Sequence, residues 1–145
     1  NLDNAAPVWG TTGNGFTPRG TTVFAPARVG IQAAIPDDGA VIVRWDAAND
    51  QSRPVRYKIY HAPASPAPQT TDLDAAPWLN SGYIAGTPPA DYAFPVDLAT
   101  AVANEHRVTG LQNGTPHVFI VRASDSGATV REETNTVSLT ATPRK

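Results

Sequence analysis

The chain has 145 residues, 11 Lys+Arg against 13 Asp+Glu, a net charge of −2 and a pI near 5.8. That length suits one domain, or one domain with arms, with room for a sizeable core. The charge balance argues against a nucleic-acid binder, the absence of Cys excludes disulfides and thiolate chemistry, and no apolar run approaches a membrane span.

Residues 1–28 read as an N-terminal arm. The chain starts at Asn1 rather than Met, which reads as a mature product or an excised piece. Gly and Pro recur every few residues of the arm. Trp9, Phe16 and Phe24 are spaced along it, and disordered tails are poor in such rings. The arm is therefore expected to be pinned through them, against a partner chain or a neighbouring domain.

Residues 29–35 alternate Val29, Ile31, Ala33 and Ile35 and predict a strand. Pro36-Asp37-Asp38-Gly39 predicts a turn. A strand at 41–45 puts Val41, Val43 and Trp45 on one face and Ile42 and Arg44 on the other. After the polar stretch AANDQSRP, residues 55–60 set Val55, Tyr57 and Ile59 against Arg56, Lys58 and Tyr60. Trp45 is the largest apolar group here and is placed at the centre of a core, with an indole N–H that needs a partner.

Residues 61–105 carry seven of the 14 prolines. Short strands are predicted at 81–85 and 92–96, with one helical turn at 97–102. Trp78, Tyr83, Tyr92 and Phe94 give this stretch apolar material of its own. A short strand is predicted at 106–111, then a turn at 112–116. In 117–123, His117, Phe119, Val121 and Ala123 alternate with Val118, Ile120 and Arg122, the pattern of a central strand apolar on both faces. The last strand is predicted at 136–142, with Val137, Leu139 and Ala141 inward.

Four stretches in this order resemble a fibronectin type III domain of the kind found in secreted or surface bacterial proteins. They are Asp3-x-x-Ala6-Pro7-x-Trp9, VRWDAANDQSRPVRYKIY, VTGLQNGTPHVFIVRASDSG and NTVSLTATP. The match is close over 29–60 and 106–143. It implies an all-β, immunoglobulin-like antiparallel β-sandwich over 29–145, with a long Pro-rich insert at 61–105. Trp45 is similar to the family's strand-B tryptophan, Tyr57 to its strand-C tyrosine, and Leu111 to the leucine of its E–F corner. His117 departs from the pattern, standing where the family has the tyrosine of the "tyrosine corner". The insert is also much longer than the family's middle connection. The core is expected to hold Ile31, Val41, Val43, Trp45, Val55, Tyr57, Ile59, Val108, Leu111, Phe119, Val121, Val137 and Leu139.

Chemistry-bearing residues are sparse. His106 and His117 fall in adjacent predicted strands and could approach, but their spacing fits no familiar zinc site, and ordinary strand histidines are the stronger reading. The carboxylate pairs Asp37-Asp38, Asp46 with Asp50, Asp72 with Asp74, and Glu132-Glu133 lack the alternating acidic loop of a calcium site. No nucleophile motif is present, so the chain is not expected to be an enzyme, and no cofactor or metal is assigned. Asn113-Gly114-Thr115 is a glycosylation sequon, meaningful only in a glycosylating host.

The resemblance implies a non-catalytic extracellular or cell-surface module, a spacer or interaction domain of a larger protein. One alternative is a subunit that assembles with copies of itself into a filament or surface array. A second is a carbohydrate-binding module with Trp9, Trp78, Tyr83 and Tyr92 as a sugar-stacking platform. The expected partner is thus a protein or a second copy of the chain, with a polysaccharide as the further candidate. The candidate interaction surface comprises Trp9, Phe16, Phe24, Tyr60, Trp78, Tyr83, Tyr92, Val118 and Ile120. Within it, Tyr60, Val118 and Ile120 make an apolar strip on the outer face of the sheet, beside Arg56, Lys58 and Arg122. Such a strip should not stay bare, and the insert that follows Tyr60 is the expected cover.

Overall fold

The computed structural model describes residues 8–9, 29–46, 48–49, 56–85, 103–124 and 132–145. Among them the protein is all-β, with antiparallel sheets and no helix, hence no helix long and apolar enough to cross a membrane.

The first sheet grows from a hairpin. Strand β2 (Ile31–Asp37) and β3 (Ala40–Asp46) are joined by Asp38-Gly39, with Gly39 at a φ of 62° that a side chain rarely adopts. The turn is thus tighter than the sequence suggested, and Pro36 and Asp37 join the ladder instead. Pro36 is tolerated there because β2 is an edge strand. A register shift between Ile31 and Ala33 moves the alternation by one residue, so Ala34 rather than Ala33 packs on the core. β8 (Ala103–Val108) pairs with the other side of β3 and completes the order β2-β3-β8.

The second sheet is built on β5 (Arg56–Pro63) and β9 (His117–Ser124), paired without a break from Arg56 opposite Ser124 to Pro63 opposite His117. β10 (Leu139–Ala141) adds to β9, while β6 (Leu79–Asn80) and β7 (Ile84–Ala85) add to β5. A separate two-residue pairing joins β1 (Val8–Trp9) to β4 (Ala48–Asn49). The described piece of the N-terminal arm, Val8–Trp9, thus pairs within its own chain.

The two larger sheets face each other across one core, a β-sandwich-like arrangement. Ile31, Val41, Val43, Trp45 and Val108 come from the first sheet, and Tyr57, Ile59, Phe119, Val121, Ala123 and Ala141 from the second. The rings of Trp45 and Tyr57 meet across the layers, centroids 5.3 Å apart and planes tilted by 53°. The buried indole N–H of Trp45 finds no acceptor among the described residues. Leu111 is partly buried against this core.

Two expected core residues are misplaced. Val137 is 41% exposed because the last strand begins only at Leu139. Leu139 lies opposite Phe119 but is 36% exposed, because β10 is the free edge of its sheet. Val55 and the elements expected at 92–96 and 97–102 lie outside the described residues.

Candidate functional site

Side chains alternate across a strand, so the residues between the core positions of β5 and β9 point to the outer side of the larger sheet. The register sorts them into two halves. At one end Tyr60 stands opposite Ile120 and Ala62 opposite Val118. At the other end Lys58 stands opposite Arg122 and Arg56 opposite Ser124. One half is apolar and the other cationic.

The segment after β5 folds back over the apolar half. Leu73 and Trp78 pack on Tyr60, Ala62, Val118 and Ile120, forming a second buried cluster. The Trp78 indole N–H donates to the Gln69 carbonyl at 2.7 Å, and the Ala64 N–H to that of Pro116 at 3.0 Å. The Ser81 N–H donates to the Ile59 carbonyl, and the Ser81 hydroxyl accepts from the Ile59 N–H, each at 3.0 Å. Covering the strip removes apolar area from water, which is the driving force for this closure. Four of the candidate interaction residues are thereby corrected: Tyr60, Trp78, Val118 and Ile120 are buried within the chain and present no surface to a partner.

In the cationic half, Lys58 and Arg122 are like charges directly opposite each other, an unfavourable pairing unless something intervenes. Glu132 intervenes. Its carboxylate lies 4.0 Å from the Lys58 ammonium and 3.9 Å from the Arg122 guanidinium, and accepts the Tyr60 hydroxyl at 2.5 Å. The three charged side chains are between 14% and 21% exposed. Burial first, and then the bond to Glu132, push the Tyr60 phenol well above its ordinary pKa. Arg122 also donates to the Asn135 carbonyl at 2.8 Å, and Asn135 donates from its side chain to the Val121 carbonyl and to Glu133. The stretch from Glu132 to Asn135 is thus fastened across β9.

Tyr83, just before β7, lies alongside the same cations. The Lys58 ammonium sits 4.3 Å from the Tyr83 ring centroid and the Arg56 guanidinium 4.6 Å, within cation–π range. Tyr83 remains 45% exposed. Of the nine candidate residues it is the one whose side chain is described and open to solvent. Trp9 is described only as backbone in β1, and Phe16, Phe24 and Tyr92 lie outside the described residues.

The histidines pair differently from expectation. His106 is on β8 in the first sheet and His117 on β9 in the second, so they are not on neighbouring strands. The close pair is His61 and His117, ring centroids 6.4 Å apart, with His61 stacked on Phe119 at 6.0 Å. The His117 Nδ1 lies 2.9 Å from the Thr115 carbonyl; a carbonyl only accepts, so Nδ1 carries the proton. Burial, then the nearby His117, push the His61 pKa down. Among the described residues no group of three or more His, Cys, Asp or Glu could hold a metal ion.

The acidic pairs do structural work at turns. Arg107 donates to the Asp37 carboxylate at 2.9 Å, which holds the Asp37 carboxyl below its ordinary pKa. Asn113, the sequon asparagine, accepts the Gly39 N–H and donates to the Asp38 carboxylate, each at 2.8 Å, tying two turns at one end of the sandwich. The Asp72 carboxylate accepts the Asp74 N–H at 3.0 Å, a local turn.

The chain is similar to an exo-poly-alpha-D-galacturonosidase from Dickeya chrysanthemi, with 30% identity over 125 residues. That alignment takes in 83% of this chain and 20% of the enzyme, so the chain spans about a fifth of the length of the curated relative it matches. No protein-family model matches the chain, and no solved structure matches it.

Proposed function

We propose that the chain is a non-catalytic, fibronectin type III-like module of a larger secreted protein that degrades polysaccharide. The observation that carries this reading is the proportion of the match. Most of this chain corresponds to about a fifth of a galacturonosidase, so the greater part of that enzyme lies outside the match. The carboxylates support it too. Asp37, Glu105, Glu132 and Glu133 are each held by a cation or a backbone donor of the fold. An extracellular setting follows from the size of such a polymer, which must be cut before it can enter a cell.

The finer fold reading draws support from the division of strands. The strand holding Trp45 lies with β2 and β8 in one sheet, and the strand holding Tyr57 with β9 and β10 in the other. The strand-B and strand-C residues of the resemblance thus meet across the core. His117 keeps a bond to backbone where the family has its tyrosine, but reaches only two residues back. The alternative of a self-assembling subunit leans on the arm, of which the described Val8–Trp9 pairs with Ala48–Asn49 of the same chain.

The test is twofold. Mass spectrometry of the native product should give a parent several times longer than this chain, and the isolated 145 residues should release no galacturonate from polygalacturonate. A native product of this size, or turnover by the isolated chain that one point variant abolishes, would contradict the reading.

A further inference from the structure

We propose that Asn113 is a deamidation site: its side-chain amide is lost when the turn that holds it opens, and the product unlocks one end of the sandwich. This holds whatever larger protein the chain belongs to.

The reactive pair comes first. Asn113-Gly114 forms the tip of the turn between β8 and β9, and Asn113 is exposed. Gly114 has a φ of 89° and no Cβ to hinder the approach of its nitrogen to the Asn113 side chain. In the reaction the Gly114 nitrogen gives its proton to a solvent base and attacks Asn113 Cγ. A C–N bond forms, the Cγ–Nδ2 bond breaks, and Nδ2 takes a proton from water and leaves as ammonia. Water then opens the cyclic imide at either carbonyl, which yields aspartate or isoaspartate. No oxidant, metal or second protein enters the balance.

The gate comes second. In the folded chain the Gly114 N–H donates to the Pro143 carbonyl at 2.8 Å. The Asn113 amide is held at both ends: Oδ1 accepts the Gly39 N–H and Nδ2 donates to the Asp38 carboxylate, each at 2.8 Å. Attacking and attacked groups are thus both fixed elsewhere, and the reaction waits for a local opening of this end of the sandwich.

The consequence follows from which atom is lost. Nδ2 is the donor that faces the Asp38 carboxylate, so its replacement by oxygen sets one carboxylate against another. Arg107 donates to the Asp37 carboxylate and to the Asp38 carbonyl, not to the Asp38 carboxylate. The clamp ties the β2–β3 turn to the β8–β9 turn, and the same end holds Pro143 through Gly114 and the Arg144 N–H through the Asp37 carbonyl. Breaking it loosens all of these together.

The test is incubation of the 145-residue chain at mildly alkaline pH, native and in denaturant, beside the peptide GLQNGTP, with peptide mapping by mass spectrometry. Mapping keeps this site apart from Asn14-Gly15, the other Asn-Gly pair. Asn113 should convert in the native chain, slower than in the peptide by about tenfold or more, and at the peptide's rate in denaturant. Asp38→Ala, at an exposed turn position, should speed the native reaction severalfold. Asn113→Asp, which reproduces one product, should lower the thermal midpoint by a few degrees. Combining it with Asp38→Asn restores a donor facing an acceptor, with the roles exchanged, and should recover the midpoint. Equal rates in native chain and peptide, no conversion in the native chain even with Asp38→Ala, or an unchanged midpoint in Asn113→Asp would overturn the proposal.

Discussion

Tyr57 and Tyr60 stand three residues apart on β5, each 1% exposed, and are buried by different kinds of structure. Tyr57 points into the space between two sheets and meets Trp45, so its cover is the strand ladder of the opposite layer. Tyr60 points outward and is covered by an irregular segment, chiefly Leu73 and Trp78, while its hydroxyl is held by Glu132. A ladder opens only if the sandwich opens. A segment fixed to the sheet by a few bonds, such as Ala64 to Pro116 and Ser81 to Ile59, can lift while the sheets stay paired. Equal burial therefore does not mean equal contribution to the fold.

Cutting the same side chain on each side breaks the comparison most sharply. Trp45→Ala empties the middle of the inter-sheet core and should cost about 3–5 kcal/mol, read as a shift of the denaturant midpoint. Trp78→Ala should cost only about 2 kcal/mol, because the loss is capped by the free energy of closing the segment. Equal losses would mean that the outer cluster is as integral as the inner one.

Within the outer face, the apolar half needs a cover and the cationic half needs a counter-charge. Glu132→Gln keeps the shape but leaves Lys58 and Arg122 opposed and a weaker acceptor for Tyr60. It should cost about 1–3 kcal/mol, since these groups are largely buried. Lys58→Gln in the same chain should recover part of that loss, as a double-mutant cycle would show.

The smallest effect is on the inner face. His61 is stacked on Phe119 and its folded pKa lies below the ordinary value of 6.5, because burial and then His117 disfavour the charged ring. The unfolded chain takes up the proton first as pH falls. This contribution to stability is complete above pH 6.5 and is lost as pH drops from there through the folded pKa. Urea midpoints measured across this range should fall with pH in the parent, and His61→Phe should flatten the dependence.

The inner face was legible in the sequence because its signal is local. Val41, Val43 and Trp45, or Phe119 and Val121, announce a buried face by alternation within one strand. The outer strip was legible for the same reason, and its cover was inferred from the aromatic residues of the insert. What failed depends on geometry between distant strands. The register shift at Ile31 and Ala33 exchanges Ala33 for Ala34, and nothing in that stretch marks it. Val137 and Leu139 alternate well but lie beyond or at the free edge of a sheet. In the sequence Glu132 stands out only as one of an acidic pair. Its place between Lys58 and Arg122 needs the β5–β9 register, which fixes their opposition. His106 and His117 looked like neighbours because sequence order conceals the switch of sheet between β8 and β9.

Native-state amide hydrogen exchange under mild denaturant tests the two-sided burial of β5 most directly. The Ala64 and Ser81 amides, which fasten the outer segment to Pro116 and Ile59, should exchange through a low-energy opening that responds weakly to denaturant. The amides of the β3–β8 and β5–β9 ladders should exchange only through global unfolding. Matching free energies and denaturant slopes for both sets would contradict a separately closing cover.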